Sequence, residues 1–553
     1  MLRKADTLFV ISMGILFVVL ITAPYLWANQ SAGSDYEFGG FLLNPIDGNS
    51  YLAKMYQGWQ GNWRFQLSYT SQVSEGVYLF LYYLALGQFT RLVDGSLQIT
   101  FHTARIFGSV LLLLSIWFFY RRVLPKRRIT WLVFAIALFG SGFGWAASFF
   151  GLFTSDFWVA EGYPFLSAYA NPHFPLGMAI LIWIITPGED EGIRRLRKSK
   201  YRSNILVILA SLILGIILPF GIILAVVVLG GLVVWDIWER LGPVKRKSWR
   251  SEIITDSLRR SDYFRKIIGI LIGGFPILIY EIWITQSDPL LANWNAQNLT
   301  ISPPVWDLFI SLGITLILAA PGAWVAWKKK NTAARILIVW SCLGLLMLYA
   351  PLGLQRRFML GLYVPLAGLA GIGLDFLFPM RKRLAFAAIC LVVILVIPTN
   401  VMIIMGGIQA VQNKDARLFL SAEEKEGLDW IAANTPQNAL ILASPEMGLY
   451  VPAYTGRRVI YGHPFETVNA EQMEASVVNY FEGSNDKEAL ADLSDVDYVF
   501  YGLRERKLGN LLIGPELTEV FSAQDLQIFE TGSLLANSTE QSTMPISLGK
   551  PIK

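Results

Sequence analysis

The sequence predicts an α-helical polytopic membrane protein, with about eleven transmembrane helices and a small C-terminal α/β domain on the outer side. Three observations predict it. The chain of 553 residues is 54% hydrophobic and 16% charged, against roughly 25% charged in soluble domains. The apolar runs are confined to residues 1–404. From 405 onward the composition becomes that of an ordinary domain, which reads as a soluble unit over 405–535 and a disordered tail over 536–553.

A helix needs about 20 apolar residues to cross the hydrocarbon core. Such segments fall at about 8–28, 101–120, 129–150, 174–187, 204–218, 220–238, 267–285, 305–327, 335–350, 358–378 and 384–404. The fourth is short and follows Pro172 and Pro175. Pro219-Phe220-Gly221 divides what would otherwise be one long helix over 204–238. The first segment follows Arg3-Lys4 and continues to Trp27 without a small-x-small cleavage site, so it is expected to be an uncleaved signal anchor.

The basic clusters set the orientation. They lie at Arg3-Lys4, 121–128, 194–202, 240–266, 328–335 and 381–383, and hold more than half of the 46 Lys and Arg. All fall on one side if the apolar run 77–93 is an outer interfacial helix rather than a span. Cytoplasmic loops are enriched in Lys and Arg. The N-terminus is therefore expected in the cytoplasm of a multi-pass cell-membrane protein. Loops 29–100, 151–173, 286–304 and 351–357 and the C-terminal domain are expected outside.

In the C-terminal region, Ser421 and Glu424 are spaced as a capping box for a helix over 421–434. Strand-like runs at 439–443, 458–461 and 496–501, with a helical stretch at 470–482, argue for an α/β domain. The two cysteines sit in apolar runs and build no disulfide framework. The three histidines show no metal-ligand spacing. With no basic, aromatic-laced patch beyond the membrane anchors, nucleic acid is excluded as a partner.

Polar residues that hydrophobicity does not explain mark function in such a chain. The first outer loop contains SDYEFGGFLLNPIDGNSYLAKMYQGWQGNWRF, in which Asp47 and Tyr51, then Gly58, Gly61 and Trp63, form D-x-x-x-Y and G-x-x-G-x-W. This loop resembles that of the GT-C superfamily of integral-membrane glycosyltransferases, which includes protein mannosyltransferases, lipid A aminoarabinose transferases and oligosaccharyltransferase catalytic subunits. Residues 101–122 resemble the family's second span, and 351–366 (PLGLQRRFMLGLYVPL) its late Arg-bearing segment. The stretch ASPEMGLYVPAYTGRRVIYGHPFET resembles a domain of uncharacterised bacterial relatives.

The resemblance implies hexosyl or pentosyl transfer, with inversion, from a polyprenyl-phosphate donor to an extracytoplasmic glycan, lipid or protein hydroxyl. It makes Asp47 the general base and Arg356 and Arg357 the holders of the lipid phosphate. Arg suits phosphate because its planar fork binds bidentately and stays charged. Where many relatives carry a second acid beside the first, Gly48 stands here. Asp35 and Glu37 are candidates to replace it, and Tyr51, Glu161 and His173 are further candidates. The sequence fixes no cofactor, and a divalent metal is compatible with it.

Other readings compete. Asp47 is also placed to cap a helix over 48–58. Arg356 and Arg357 would serve as headgroup anchors, Asp35 and Glu37 as a solvated pair, and His173 as an interfacial histidine. Arg457, Arg458 and His463 read as surface residues. At the level of the whole protein, the alternatives are a non-catalytic GT-C-like membrane scaffold and a lipid or sugar transporter. A transporter should carry charges near span centres, and the spans here are nearly free of them.

Overall fold

The computed structural model describes residues 4–124, 126–188, 200–241, 250–379, 383–483, 493, 495–509 and 517–531. The chain is mostly helical. Among the described residues, six helices are long and apolar enough to cross a membrane: Lys4–Ser31, Leu97–Val123, Arg127–Ser148, Pro219–Leu241, Val305–Lys328 and Arg383–Gln412. Asp262–Gly273 and Phe275–Ser287 pass the same test together, bent by 43° at the break between them, as a broken span or a re-entrant loop. Four shorter apolar helices, His173–Ile185, Asn204–Ile217, Arg335–Met347 and Tyr363–Leu377, fall on the remaining expected segments. The break before Pro219 lies where the sequence placed it, because a proline ring cannot continue the preceding helix. The expected tail 536–553 and parts of the basic clusters lie outside the described residues.

Ion pairs engage residues of several basic clusters. Asp6 is buried and meets Arg127 at 2.5 Å and Arg121 at 3.2 Å. Lys126 meets Asp375 at 2.6 Å, and Arg335 bridges Asp236 and Glu239. A carboxylate buried near the membrane is tolerable only when paired in this way.

The run 77–93 forms a helix over Leu81–Leu92. At 1.5 Å per residue its 12 residues reach about 18 Å. It lies directly against the helix Pro45–Trp59. A Cβ on Gly87 would stand 1.9 Å from the Met55 carbonyl oxygen, and one on Gly58 would stand 2.1 Å from that of Leu84. Glycine at both positions is what lets the two backbones touch.

The C-terminal region holds a five-stranded sheet in the order Arg458–Val459, Leu440–Leu442, Tyr498–Tyr501, Leu526–Thr531, Leu517–Ala523. The first three strands are parallel, and the last two join antiparallel. The helix Ala422–Asn434 begins with the expected capping box: Ser421 accepts from the Glu424 N–H, and Glu424 accepts from the Ser421 N–H. The hairpin 517–531 was not foreseen. Its turn runs through Gln524 at φ 41°, without the Gly or Asn that announces a tight turn.

This region is joined to the helical body by strand pairing and a shared apolar core. The strand Tyr36–Phe38 pairs antiparallel with Phe419–Ser421. Ala53 and Tyr69 of the first outer loop share one apolar core with Leu420, Leu428, Ile441 and Tyr450. The first outer loop thus sits between the membrane helices and the sheet.

Candidate active site

The site is organised by the helix Pro45–Trp59. Residues three, four and seven apart share a helix face, so Asp47, Ser50, Tyr51 and Lys54 form one stripe. Asn44, in left-handed conformation, is the N-cap, and Pro45 opens the first turn. Asp47 is therefore not the cap. Its carboxylate accepts a hydrogen bond from the Asn44 side-chain amide and faces His463 Nε2 at 3.5 Å.

Gly48 has a steric origin. A Cβ there would lie 2.3 Å from the Phe41 ring, and Phe41 is itself buried. A second acid next to Asp47 has no room.

Arg357 follows in the short helical turn Gln355–Met359. Its guanidinium meets Glu161 at 2.5 Å, with Glu161 nearly fully buried and Arg357 about one-third exposed. The backbone ties these loops together, since the Gly361 N–H donates to the Glu161 carbonyl at 2.9 Å. Arg356 points elsewhere. Its guanidinium lies 4.8 Å from the Trp158 ring centre, and its Nε meets no acceptor among the described residues.

A cavity of about 460 Å³ lies beside Arg357, lined also by Tyr51, His173, Phe220, Glu281 and Trp294. Tyr51 stacks on Tyr83 at 4.5 Å, and the Tyr83 hydroxyl meets His173 Nδ1 at 2.6 Å. Asp47 does not line this cavity. It reaches it through Tyr51, one turn along the same helix.

Lys54, only 1% exposed, binds Glu466 at 2.5 Å and the Ser50 hydroxyl at 2.6 Å, and its ammonium lies 4.6 Å from the Phe80 ring centre. Glu466 comes from the C-terminal region, as does His463. Neither was singled out from the sequence as part of the site, and His463, read there as a surface residue, is 2% exposed. Lys54 shares the helical stripe with Asp47, and that spacing was the one available signal.

The electrostatics follow from these neighbours. Burial alone would raise the Asp47 carboxyl, but His463, Arg357 and Lys54 together hold it below the usual carboxylate range. Burial likewise works against the charge on Glu466, and the Lys54 ammonium, with a hydrogen bond from the Ser50 hydroxyl, reverses the effect and leaves it lowered. Burial disfavours the Arg357 cation, yet Glu161, Tyr51 and Asp47 raise it above its ordinary value. Asp47, Glu466 and Arg357 are thus kept charged by the groups around them.

Asp35 and Glu37 are not brought to Asp47. Asp35 accepts from Ser34, and Glu37 lies on the ladder with residue 420, its carboxylate 4.0 Å from Lys425. Their side chains serve the junction between loop and sheet. As for a metal, no group of three or more His, Cys, Asp or Glu side chains converges among the described residues. Glu161 is engaged by Arg357, and Asp47 by Asn44 and His463. These donors do not form a metal-ligand set, and no step below is routed through one.

No family model and no curated protein matches the sequence. Solved structures do match the fold. One is the oligosaccharyltransferase of Archaeoglobus fulgidus tethered to an acceptor peptide, at TM-score 0.53 and 12% identity, covering 89% of this chain and 69% of that one. The same organism's AglB in complex with an inhibitory peptide and a dolichol-phosphate matches at TM-score 0.51 and 11% identity, over 90% and 70% of the two chains. ArnT from Cupriavidus metallidurans bound to undecaprenyl phosphate matches at TM-score 0.50 and 13% identity, over 94% and 98%. The chain has the fold of these membrane glycosyltransferases.

Proposed function

We propose that this protein is an inverting membrane glycosyltransferase that moves a hexosyl or pentosyl group from a polyprenyl-phosphate carrier to an extracytoplasmic hydroxyl. One observation carries the reading. A carboxylate kept ionised, Asp47, lies one helical turn from Tyr51, and Tyr51 lines an apolar-walled cavity together with a cation kept charged, Arg357. The resemblance of the first outer loop and the shared fold support it. The structural neighbours were solved with dolichol-phosphate and with undecaprenyl phosphate, which supports a polyprenyl phosphate as the donor's lipid part.

In this mechanism the acceptor oxygen attacks the anomeric carbon, and the bond from that carbon to the phosphate oxygen breaks. The electron pair leaves on the phosphate, and Arg357 stabilises the new negative charge. As the new C–O bond forms, the acceptor hydroxyl becomes strongly acidic. A carboxylate of low basicity therefore suffices, and Asp47 takes the proton. Tyr51 and His173 shape the sugar end of the cavity, and Phe220 and Trp294 supply apolar wall for the lipid. Arg356, turned onto Trp158, has a lesser share in holding the phosphate. The C-terminal domain stands outside the cell in this reading.

The direct test is consumption of polyprenyl-phosphate hexoses and pentoses by the purified protein, with the anomeric configuration of the product read by magnetic resonance. Retained configuration would exclude direct displacement by an acceptor activated at Asp47.

A further inference from the structure

The segment 463–469 leaves the parallel part of the sheet and is fastened to the body from two sides. The Asn298 amide donates to the Phe465 carbonyl at 2.7 Å, and the Gln297 amide donates to that of Thr467 at 2.5 Å. Val468 packs with Phe65, Leu79 and Leu84. From the other side, Glu466 holds Lys54. The segment thus forms a roof over the stripe that carries Asp47, and Asn298 also lines the cavity beside Arg357.

Within this roof the ring of His463 has one orientation. Its Nδ1 accepts from the N–H groups of Phe465 at 3.1 Å and Glu466 at 3.2 Å. A nitrogen that accepts two N–H groups cannot carry the proton, so the proton sits on Nε2. That Nε2 is buried, meets no other hydrogen-bond partner among the described residues, and points at Asp47 Oδ1 from 3.5 Å. The distance is at the outer edge of hydrogen-bonding reach, as contacts in unliganded sites often are before they tighten.

We infer that His463 is a positioning residue for Asp47, so that the C-terminal domain supplies part of the active site rather than an accessory module. This rests on the reading of Asp47 as the base. The Nε2–H holds one carboxylate oxygen while the Asn44 amide holds the other, and a lone pair is left aimed at the acceptor. Lys54 and Glu466 fix the distance between roof and helix.

The charged and titratable groups around Asp47 come from several elements. Tyr51 and Lys54 lie on its own helix, His463 and Glu466 on the roof, Tyr83 on the helix Leu81–Leu92, His173 at the start of His173–Ile185, and Arg356 and Arg357, the latter with its partner Glu161, on the late segment and second outer loop. Removing His463 deletes one of the groups that oppose burial. The carboxyl then titrates at higher pH, and the acidic limb of the pH–rate profile moves up.

The test uses the full-length protein in nanodiscs, labelled with 15N-histidine. Its histidines are His102, His173 and His463, and His463→Gln assigns the last. The expected ring is protonated on Nε2 and bare on Nδ1, and Asp47→Ala moves its Nε2 signal while leaving His102 in place. A ring protonated on Nδ1, or one that does not respond to Asp47→Ala, overturns the inference. The second arm is transfer from a panel of polyprenyl-phosphate hexoses and pentoses. His463→Phe keeps the ring volume but loses the donor. Turnover should fall about tenfold or more, short of the roughly 10²–10⁴ expected for loss of the base itself. Donor KM should hold, the acidic limb should rise, and His463→Gln should recover part of the rate. Wild-type turnover with an unmoved limb in folded His463→Phe would also overturn it. If the wild type consumes no donor in the panel, the proposed donor class fails, while the magnetic resonance arm still decides the place of His463.

Discussion

His463 and Asp47 are 416 positions apart in the chain and face each other, Nε2 to Oδ1, at 3.5 Å. The contact places a residue of the soluble region against the carboxylate with the best claim to act as the base. It also explains why the first outer loop packs so closely under the sheet.

Asp47→Asn separates the catalytic role from a structural one. Asn44 already caps the helix, so the substitution should leave the unfolding midpoint nearly unchanged. Sugar transfer should fall by about 10²–10⁴. Because the carboxyl is held below its ordinary range, the wild-type base should stay ionised as pH falls toward about 4. A wild-type acidic limb between pH 5 and 7 must then belong to another group, as pH–rate profiles of the two proteins will show.

The pair Lys54 and Glu466 should behave as a buried ion pair. Glu466→Gln leaves Lys54 charged and enclosed, at a cost of about 3–5 kcal/mol. The double variant Lys54→Met with Glu466→Leu should regain most of it, measured by denaturation in detergent. Glu466 is lowered in the folded protein, so its contribution is present above its unfolded pKa and is lost as pH falls through the folded one.

The two neighbouring arginines should part company. Arg357→Lys loses the planar fork that holds Glu161 and lines the cavity, and transfer should drop at least about tenfold, the step that 1.36 kcal/mol produces. Arg356→Lys should change it less, because Arg356 sits on Trp158 outside the cavity lining. Equal losses in initial rate would put both guanidinia on the phosphate.

Gly48→Ala should destabilise the protein by about 1–3 kcal/mol, the usual cost of overpacking, since its Cβ would meet the Phe41 ring. Phe41→Leu in the same chain should relieve part of the loss. Thermal midpoints of the three proteins decide it.

Orientation is open to labelling. A cysteine at exposed Glu426 should react with an impermeant thiol reagent in intact cells, and one at exposed Lys329 should not. The reverse pattern would invert the protein in the membrane.

Much of the architecture was legible in the sequence. Membrane segments announce themselves because every apolar residue in a span is selected by the same solvent, so composition alone locates them. The turn at Pro219, the capping box at Ser421 and the strand segments of the C-terminal region are local events, set by residues within a few positions of one another. Asp47, Tyr51 and Arg357 stood out because charge or polarity at a membrane surface needs a reason. Tertiary structure decided what these groups touch. Arg356 and Arg357 are adjacent in sequence, yet one rests on Trp158 and the other on Glu161. Gly48 is small because Phe41 lies across it, and the backbones of Asp35 and Glu37 are drawn off to Ala422 and Leu420. Lys54 has only its helical spacing from Asp47 as a local sign, and His463 and Glu466 have none, since a buried ion pair or an oriented imidazole exists only once two distant segments share a wall. Apolar burial is read from each residue's own chemistry, whereas a polar contact belongs to two residues and waits on the fold that brings them together.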